Sequence, residues 1–392
     1  MWIIRDRHVT ARKTARIPQP MLSPAEKGAD DAEEFQPGSH DMHLDAILHQ
    51  ASMAGASDIH LVPGHLPMVR IDTILQTLDL PVLTVDCITA AVQSLTTGPQ
   101  RARLKAAKDL DLSYAVEDLG RFRVNIHQQR TGLAIAMRSI REHVPPLASL
   151  NLPEVVQKFA SLPRGLVLVT GDTGSGKSTT IASLIQAVNE RQRKHIITLE
   201  DPIEYTFQSR QCLVEQRELG EDLPNFASGL KHALRQDPDM IFVGEMRDLE
   251  TTALAMSAAE TGHLVLSTLH TVNAAQTVER IVDMYPAEQQ NQIRSMLGDT
   301  LQAVVSQTLF ARCDEPGMVP AVEVMLCTPA VRNLIRENRT FEIPNVIETS
   351  RALGMSTLDA SIAELHINGL ITREDALSRA TYPKALERAL AA

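Results

Sequence analysis

Residues Gly171 to Ser178 read Gly-Asp-Thr-Gly-Ser-Gly-Lys-Ser and constrain this chain more than any other stretch. They match Gly-x4-Gly-Lys-Ser/Thr, in which backbone N–H groups wrap phosphates, the lysine meets the β/γ oxygens and the hydroxyl takes Mg2+. Both flanks fit. Gly165-Leu-Val-Leu-Val-Thr170 is apolar, β-rich and of strand length, and Thr179 to Asn189 carries Ile181, Leu184, Ile185 and Val188 at helical spacing. A strand feeding a glycine loop that opens a helix aims the helix N-terminus at an anion. The alternative, a glycine-rich turn with a surface lysine, accounts for neither flank. Gly171, Asp172, Thr173, Gly174, Ser175, Gly176, Lys177, Ser178 and Thr179 are therefore the expected ATP-binding residues, with Ser178 as a Mg2+ ligand.

A chain of 392 residues has room for two or three domains, each with its own core. The net charge of -10 argues against a polyanion-binding surface, and 3 % aromatics leave few platforms for stacked bases, so nucleic acid is not an expected partner. Cys87, Cys212, Cys313 and Cys327 form no C-x-x-C pair, which points away from structural zinc and disulfides and towards a reducing cytoplasm. No apolar run approaches the roughly eighteen residues of a membrane span. The initial Met-Trp-Ile-Ile is shorter than a signal-peptide core.

Residues 1–41 read as an arm, basic at Arg5, Arg7, Arg12, Lys13 and Arg16 and acidic at Asp30, Asp31, Glu33 and Glu34. With no sustained apolar period it is expected to be disordered, the alternative being a segment that touches a partner or an anionic surface. Met21 and Met42 are candidate starts. Residues 42–143 read as a small α+β domain, with an apolar stripe at Leu44, Ile47 and Leu48 and strand-like runs at Met68 to Ile71, Leu110 to Val116, Gly120 to His127 and Gly132 to Ile140. A helix is expected near Val85 to Leu95. Arg121, Arg123 and Arg138 lie in the last two strands; a planar guanidinium suits a γ-phosphate, and a solvated strand residue carries the same signature. Proline-rich 144–153 reads as a hinge linker.

Residues 154–328 alternate strand-like and helix-like segments, as in a doubly wound parallel sheet whose chemistry collects beyond the C-terminal strand ends. Strands are expected at Gly165 to Thr170, His195 to Leu199, Met240 to Val243, His263 to Leu269 and Val319 to Met325. Helices are expected at Glu154 to Ala160, Thr179 to Asn189, Phe226 to Arg235, Leu249 to Thr261, Ala274 to Met284 and Ala287 to Thr300.

Three strand ends stand out. Leu199-Glu-Asp-Pro-Ile-Glu-Tyr205 offers the carboxylates Glu200, Asp201 and Glu204, which either position Mg2+ through water and orient an attacking water or form a capping turn. Asp239 to Asp248 is an apolar strand closing on Gly244-Glu245. Where P-loop enzymes usually hold the metal with an aspartate, this chain leaves metal duty to Ser178 and the earlier carboxylates and leaves Glu245 to polarise water, or to be a surface glutamate. Thr261 to His270 carries His263 and His270 seven apart, which is not metal-ligand spacing; each is a γ-phosphate sensor or a structural histidine. Residues 329–392 read as a helical region. Thr328-Pro329 starts the helix Ala330 to Glu337, with Val331, Leu334 and Ile335 on one face, and Leu358 to Asn368 and the Thr372-x-x-Asp375 capping box give two more helices.

Taken in order, the phosphate loop, Leu-Glu-Asp-Pro-Ile-Glu-Tyr, Val-Gly-Glu-Met-Arg-Asp, Thr-Gly-His-Leu-Val-Leu-Ser-Thr-Leu-His and Ala-Val-Arg-Asn-Leu-Ile-Arg-Glu resemble the type IV pilus retraction ATPases, the PilT family of the secretion ATPase superfamily. The similarity runs over about residues 43–380. It implies a homohexamer of subunits with a PAS-like N-terminal domain and a RecA-like ATPase domain, with ATP at their junction. It assigns Lys177 and Ser178 to phosphate and Mg2+, Glu204 with Glu200 and Asp201 to the "Asp box", Glu245 to catalysis, and His263 and His270 to the "His box". It also makes Arg123 and Arg138 nucleotide-facing arginines and helix Ala330 to Glu337 a retraction motif. The implied partner is an inner-membrane pilus platform protein, and the implied place is the cytoplasmic side of the inner membrane at the pilus base. Three residues depart from the family pattern: Asp172 for proline, Val331 for isoleucine and Thr73 for a turn glycine. Competing readings are an accessory retraction ATPase of the PilU kind, another type II or type IV secretion ATPase, and a nucleotide-gated binding scaffold that does no work.

Overall fold

The computed structural model describes residues 44–391 apart from 72–73, 117–118 and 141–142. The expectations for residues 1–41 and for Thr73 lie outside the described residues. The chain opens with helix α1 (Leu44–Met53), which buries Leu44, Ile47, Leu48 and Ala51. A six-stranded antiparallel sheet follows, made of β1 (Asp58–Leu61), β2 (Met68–Ile71), β3 (Ile74–Thr77), β4 (Asp109–Val116), β5 (Gly120–Gln129) and β6 (Gly132–Ile140) in the order β3-β2-β1-β6-β5-β4. Along β5, Phe122, Val124 and Ile126 are buried while Arg121 and Arg123 point to the other face, as the period of a half-buried strand requires. Helices α2 (Val85–Leu95) and α3 (Gly98–Ala107) separate β3 from β4. Helix α3 has no counterpart among the expected helices: Gly98-Pro99 looks like punctuation, yet Thr97 and Gln100 form a capping box and the proline occupies the first helical turn, where its missing N–H costs nothing.

Residues 144–153 pack against the P-loop helix instead of hanging free. Leu147 is buried in one cluster with Ile181, Leu184 and Ile185, and Ser183 Oγ donates to the Pro145 carbonyl at 2.7 Å. After α4 (Glu154–Gln157) comes a seven-stranded sheet of β7 (Gly165–Thr170), β8 (His195–Glu200), β9 (Leu213–Glu218), β10 (Met240–Val243), β11 (Leu264–Leu269), β12 (Leu301–Ala311) and β13 (Met318–Leu326), ordered β13-β12-β7-β11-β10-β8-β9. Helices α5 (Lys177–Arg191), α6 (Phe226–Ala233), α7 (Leu249–Glu260), α8 (Ala274–Asp283) and α9 (Gln290–Thr300) cover both faces. Leu166 and Leu168 of β7 enter one core cluster and Val167 and Val169 the other, so this strand reads as an unbroken apolar run.

Three expectations are corrected here. The sheet is mixed, not wholly parallel, because β13 returns antiparallel to β12. Strands β9 and β12 were not anticipated: β9 reads Leu-Val-Glu-Gln-Arg-Glu, and β12 follows α9 with no breaker between them. Helix α9 begins at Gln290, since 287–289 form a turn. The chain ends with α10 (Pro329–Arg336), α11 (Ile343–Thr349), α12 (Leu358–Ile367), α13 (Arg373–Ser378) and α14 (Pro383–Ala391); Ile362, Leu365, Ala376 and Leu386 pack on Phe310, Val319 and Ala321 of the β12–β13 hairpin.

Candidate nucleotide-binding site

The phosphate loop links β7 to α5 through backbone that only glycine adopts cheaply. Gly171, Gly174 and Gly176 have φ of +137°, +81° and +90°. At Gly171 space is also lacking, because a Cβ would lie 2.3 Å from the Gln307 carbonyl oxygen and 2.6 Å from Ser175 Oγ. Lys177, the first residue of α5, donates its ammonium to the carbonyls of Gly171 at 2.7 Å and Asp172 at 2.8 Å. Burial lowers the Lys177 pKa, and the carboxylates of Glu245, Asp172 and Glu204 oppose that shift. Ser175 Oγ is buried with no hydrogen-bond partner among the described residues. An orphaned hydroxyl, a helix N-terminus and a buried lysine in one loop fit a polyphosphate. Asp172 is exposed, so its extra charge lies at the rim of the loop.

The three carboxylates after β8 separate into different environments. Glu200 is buried, accepts from Thr198 Oγ1 at 2.6 Å, Gln216 Nε2 at 3.1 Å and the Glu204 N–H, and has its pKa pushed up by burial to about 7. It is held inside the protein. Asp201 is exposed. Glu204 is exposed too, between buried Ile203 and Tyr205, and the Tyr205 hydroxyl meets Thr179 Oγ1 at 2.9 Å, tying this loop to α5. The loop is thus pinned beside Lys177 with the Glu204 carboxylate free.

Strand β10 delivers Glu245. Gly244 donates to the Leu199 carbonyl at 2.7 Å, and a Cβ there would come within 3.2 Å of that oxygen, so glycine lets the end of β10 close on β8. Glu245, 17 % exposed at its side chain, accepts from Arg247 at 2.7 Å and lies 3.4 Å from His270 Nε2, just past the end of β11. Lys177, Glu204, Glu245 and His270 are therefore brought together beyond the C-terminal ends of the parallel strands.

Other expected residues lie elsewhere. His263 precedes β11, its Nδ1 3.0 Å from the Ala258 carbonyl, and its own carbonyl accepts from Gly165 N at the start of β7. Six residues at about 3.3 Å each put it about 20 Å from the phosphate loop of its own chain. Arg123 and Arg138 sit opposite each other on β5 and β6. Arg138 donates to Asp58 at 2.7 Å, and although burial raises the Asp58 pKa, hydrogen bonds from Arg138 and Ser57 prevail and lower it. Arg123 lies 4.0 Å from Asp111 and lines a cleft of about 360 Å³ with Asp201 and Glu218. Neither arginine pairs with a phosphate-loop residue of its own chain. Helix α10 buries Val331, Leu334 and Ile335 and ties its polar side down through Arg332 to the Cys327 carbonyl and Arg336 to Asp299.

Two groups escaped the sequence reading. Gln216 on β9 grips Glu200 and the Tyr205 carbonyl, and Gln307 on β12 backs the loop through its carbonyl and donates to Thr180 at 3.0 Å. The signal for Gln307 was the polar Ser-Gln-Thr inside an apolar run. As for Mg2+, no group of three or more His, Cys, Asp or Glu poised for a metal occurs among the described residues. The donor set of Ser178 plus exposed Glu204 and Asp201 suits an ion that keeps its waters and leans on phosphate oxygens.

Comparison with known proteins gives one answer. The family described as Type II/IV secretion system protein matches residues 32–364. The Type IV pilus retractation ATPase PilT of Pseudomonas aeruginosa is 45% identical over 343 residues, 88% of this chain and 99% of that protein. A twitching motility protein of Neisseria gonorrhoeae is 46% identical over 320 residues, 82% of this chain and 86% of that one. The crystal structure of the pilus retraction motor PilT with bound ADP matches with a TM-score of 0.83 at 44% identity, covering 89% of this chain and all of that one. An α/β ATPase fold with these relatives over nearly its whole described length places the chain in the Type II/IV secretion system protein family, in the PilT branch of the GspE/PilT superfamily.

Proposed function

We propose that this chain is an ATP-hydrolysing motor that drives type IV pilus retraction and so twitching motility. The observation that carries the hydrolytic part is Glu245, held at the tip of β10 by Arg247 and His270 and near enough to Lys177 to act on its charge. Lys177, the orphaned Ser175 hydroxyl and the N–H groups of Gly171 to Thr179 bind the triphosphate. Glu245 orients and polarises the attacking water, and His270 holds the Glu245 carboxylate in place. Mg2+, when bound, would supply charge neutralisation to the phosphates; Ser178 would hold it directly, and Glu204 and Asp201 through water. Glu200 stays a buried support.

The same reading makes the six-stranded region PAS-like, the seven-stranded region RecA-like and the assembly a homohexamer. Arg123 and Arg138, half-exposed and tied to aspartates of their own sheet, then reach the γ-phosphate held by a neighbouring subunit. Loss of the γ-phosphate releases that contact, the N-terminal domain turns about the 144–153 linker, and the ring passes the rotation to a platform protein in the inner membrane. No helix among the described residues is long and apolar enough to cross a membrane, so membrane contact is assigned to that partner. Helix α10 serves retraction and not hydrolysis. Glu245→Gln tests the reading: the variant is expected to hold ATP without releasing phosphate, and cells carrying it to stop twitching while accumulating surface pili. Normal twitching in that strain overturns the assignment.

A further inference from the structure

Glu218, the last residue of β9, is 6 % exposed and belongs to none of the motifs above. Burying a carboxylate costs several kcal/mol unless hydrogen bonds replace its water, and packing alone would be better served by an apolar side chain. Its partners come from two separate places. Both carboxylate oxygens accept from Ser113 Oγ at 3.1 Å, and Oε2 also accepts from the Ile203 N–H at 3.2 Å. Ser113 lies on β4 of the six-stranded sheet; Ile203 is the residue before Glu204. The strand end that carries Glu218 is itself rigid, because its N–H donates to Asp222 at 2.8 Å and the next N–H, of Leu219, donates to the Glu200 carbonyl at 2.9 Å.

The place of Ser113 in its sheet gives this link a purpose. Ser113 pairs with Arg123, Arg123 with Arg138, and Arg138 with Asp58, so these four residues form one row across β4, β5, β6 and β1. Directly opposite residues share a face, and the row moves as one with the sheet. We infer that Glu218 is a positioning residue that couples the arginine row of the six-stranded sheet to the Glu204 loop of the same chain, through Ser113 on one side and the Ile203 N–H on the other. An arginine that engages a neighbour's phosphate thereby sets the geometry of its own subunit's carboxylate loop. This inference rests on the ATPase reading above.

The test is steady-state ATP hydrolysis by the full-length protein and by Ser113→Ala, Ser113→Thr, Glu218→Gln and the double variant Ser113→Ala/Glu218→Gln, with Lys177→Ala as the control. Ser113→Ala is expected to lower kcat about fivefold, the worth of one net hydrogen bond, with KM for ATP within about twofold and a melting temperature only about 2–4 °C lower, so that the fold is intact at the assay temperature. Ser113→Thr, which keeps the hydroxyl, restores kcat, and the double variant is no slower than Glu218→Gln alone. Wild-type kcat in Ser113→Ala, additive losses in the double variant, or a fall in kcat that tracks a larger fall in melting temperature each overturn the coupling. Absence of Lys177-dependent hydrolysis in the wild-type protein would instead overturn the ATPase reading.

Discussion

At the tip of the seven-stranded sheet Lys177 is 9 % exposed and fixed by two carbonyls, whereas on the six-stranded sheet the Arg138 side chain is 66 % exposed and tied to one carboxylate. The first sheet is covered on both faces, and every residue of β7, β10 and β11 is buried. Its functional groups therefore sit at strand ends, held by backbone geometry and by each other. The second sheet presents its arginines on a solvated face, with ion pairs that water screens. One region has completed its half of a phosphate site within a single chain. The other offers cations that a ligand brought by another surface can recruit, at the cost of weak pairs that are easily exchanged.

Removing the organised half has the largest expected effect. Lys177→Ala takes away the buried ammonium of the loop, the charge that the carboxylates of Glu245, Asp172 and Glu204 support. A loss of about a thousandfold in kcat/KM for ATP is expected, with the fold intact by circular dichroism. A loss below about tenfold would show that the loop is not where the terminal phosphates bind.

Next in size is an effect on stability that depends on pH. The Glu200 carboxyl, surrounded by Thr198, Gln216 and Glu204, has its pKa pushed up by burial to about 7. Its unfolded-state pKa is near the ordinary glutamate value, so between about pH 4.5 and about pH 7 the folded chain holds the proton more tightly than the unfolded one. Stability therefore falls as pH rises through that window, by about 3 kcal/mol in total, and stays lowered above it. Glu200→Gln mimics the protonated form and removes the penalty. The variant should melt above the wild type at pH 8, with the gap closing by pH 5; a gap independent of pH would mean that Glu200 is already ionised and compensated in the folded protein.

The contrast between the two sheets also marks what a reader of the sequence can see. The phosphate loop was legible because its determinants are local: three glycines forced by torsion, and a lysine and serine at fixed offsets. Glu245 and His270 stood out because parallel sheets collect function at one end of their strands, but the sequence left His263 and His270 with the same two readings, and only the structure puts His263 at the opposite strand end. The roles of Glu200 and Glu204 were not separable, since burial of one and exposure of the other depend on Gln216, a residue of the unanticipated strand β9. Strand β12 was hidden for a similar reason. Its buried Ser306 and Gln307 break the apolar pattern and find their partners in Thr170 and Thr180, more than a hundred residues away. Polar residues inside a core are intelligible only with their partners in place.

The smallest of these effects bears most directly on the comparison. If the solvated arginines serve a neighbouring subunit, Arg138→Ala should lower kcat by about thirtyfold, the worth of one charge-assisted hydrogen bond, while leaving nucleotide affinity of the isolated chain unchanged. Loss of the Asp58 pair alone predicts much less, because an exposed ion pair contributes about 0–1 kcal/mol and does not touch the chemistry. Mixing separates action within a chain from action across an interface. Arg138→Ala retains an intact phosphate loop and Lys177→Ala retains an intact arginine row, so a ring assembled from both contains junctions at which a good loop faces a good arginine. Hydrolysis by the mixture above the sum of the two separate variants places the arginine on the neighbour. Strict additivity would place it in its own chain, and the solvated sheet would then have to close onto the phosphate loop by a domain movement larger than the linker packed on α5 readily permits.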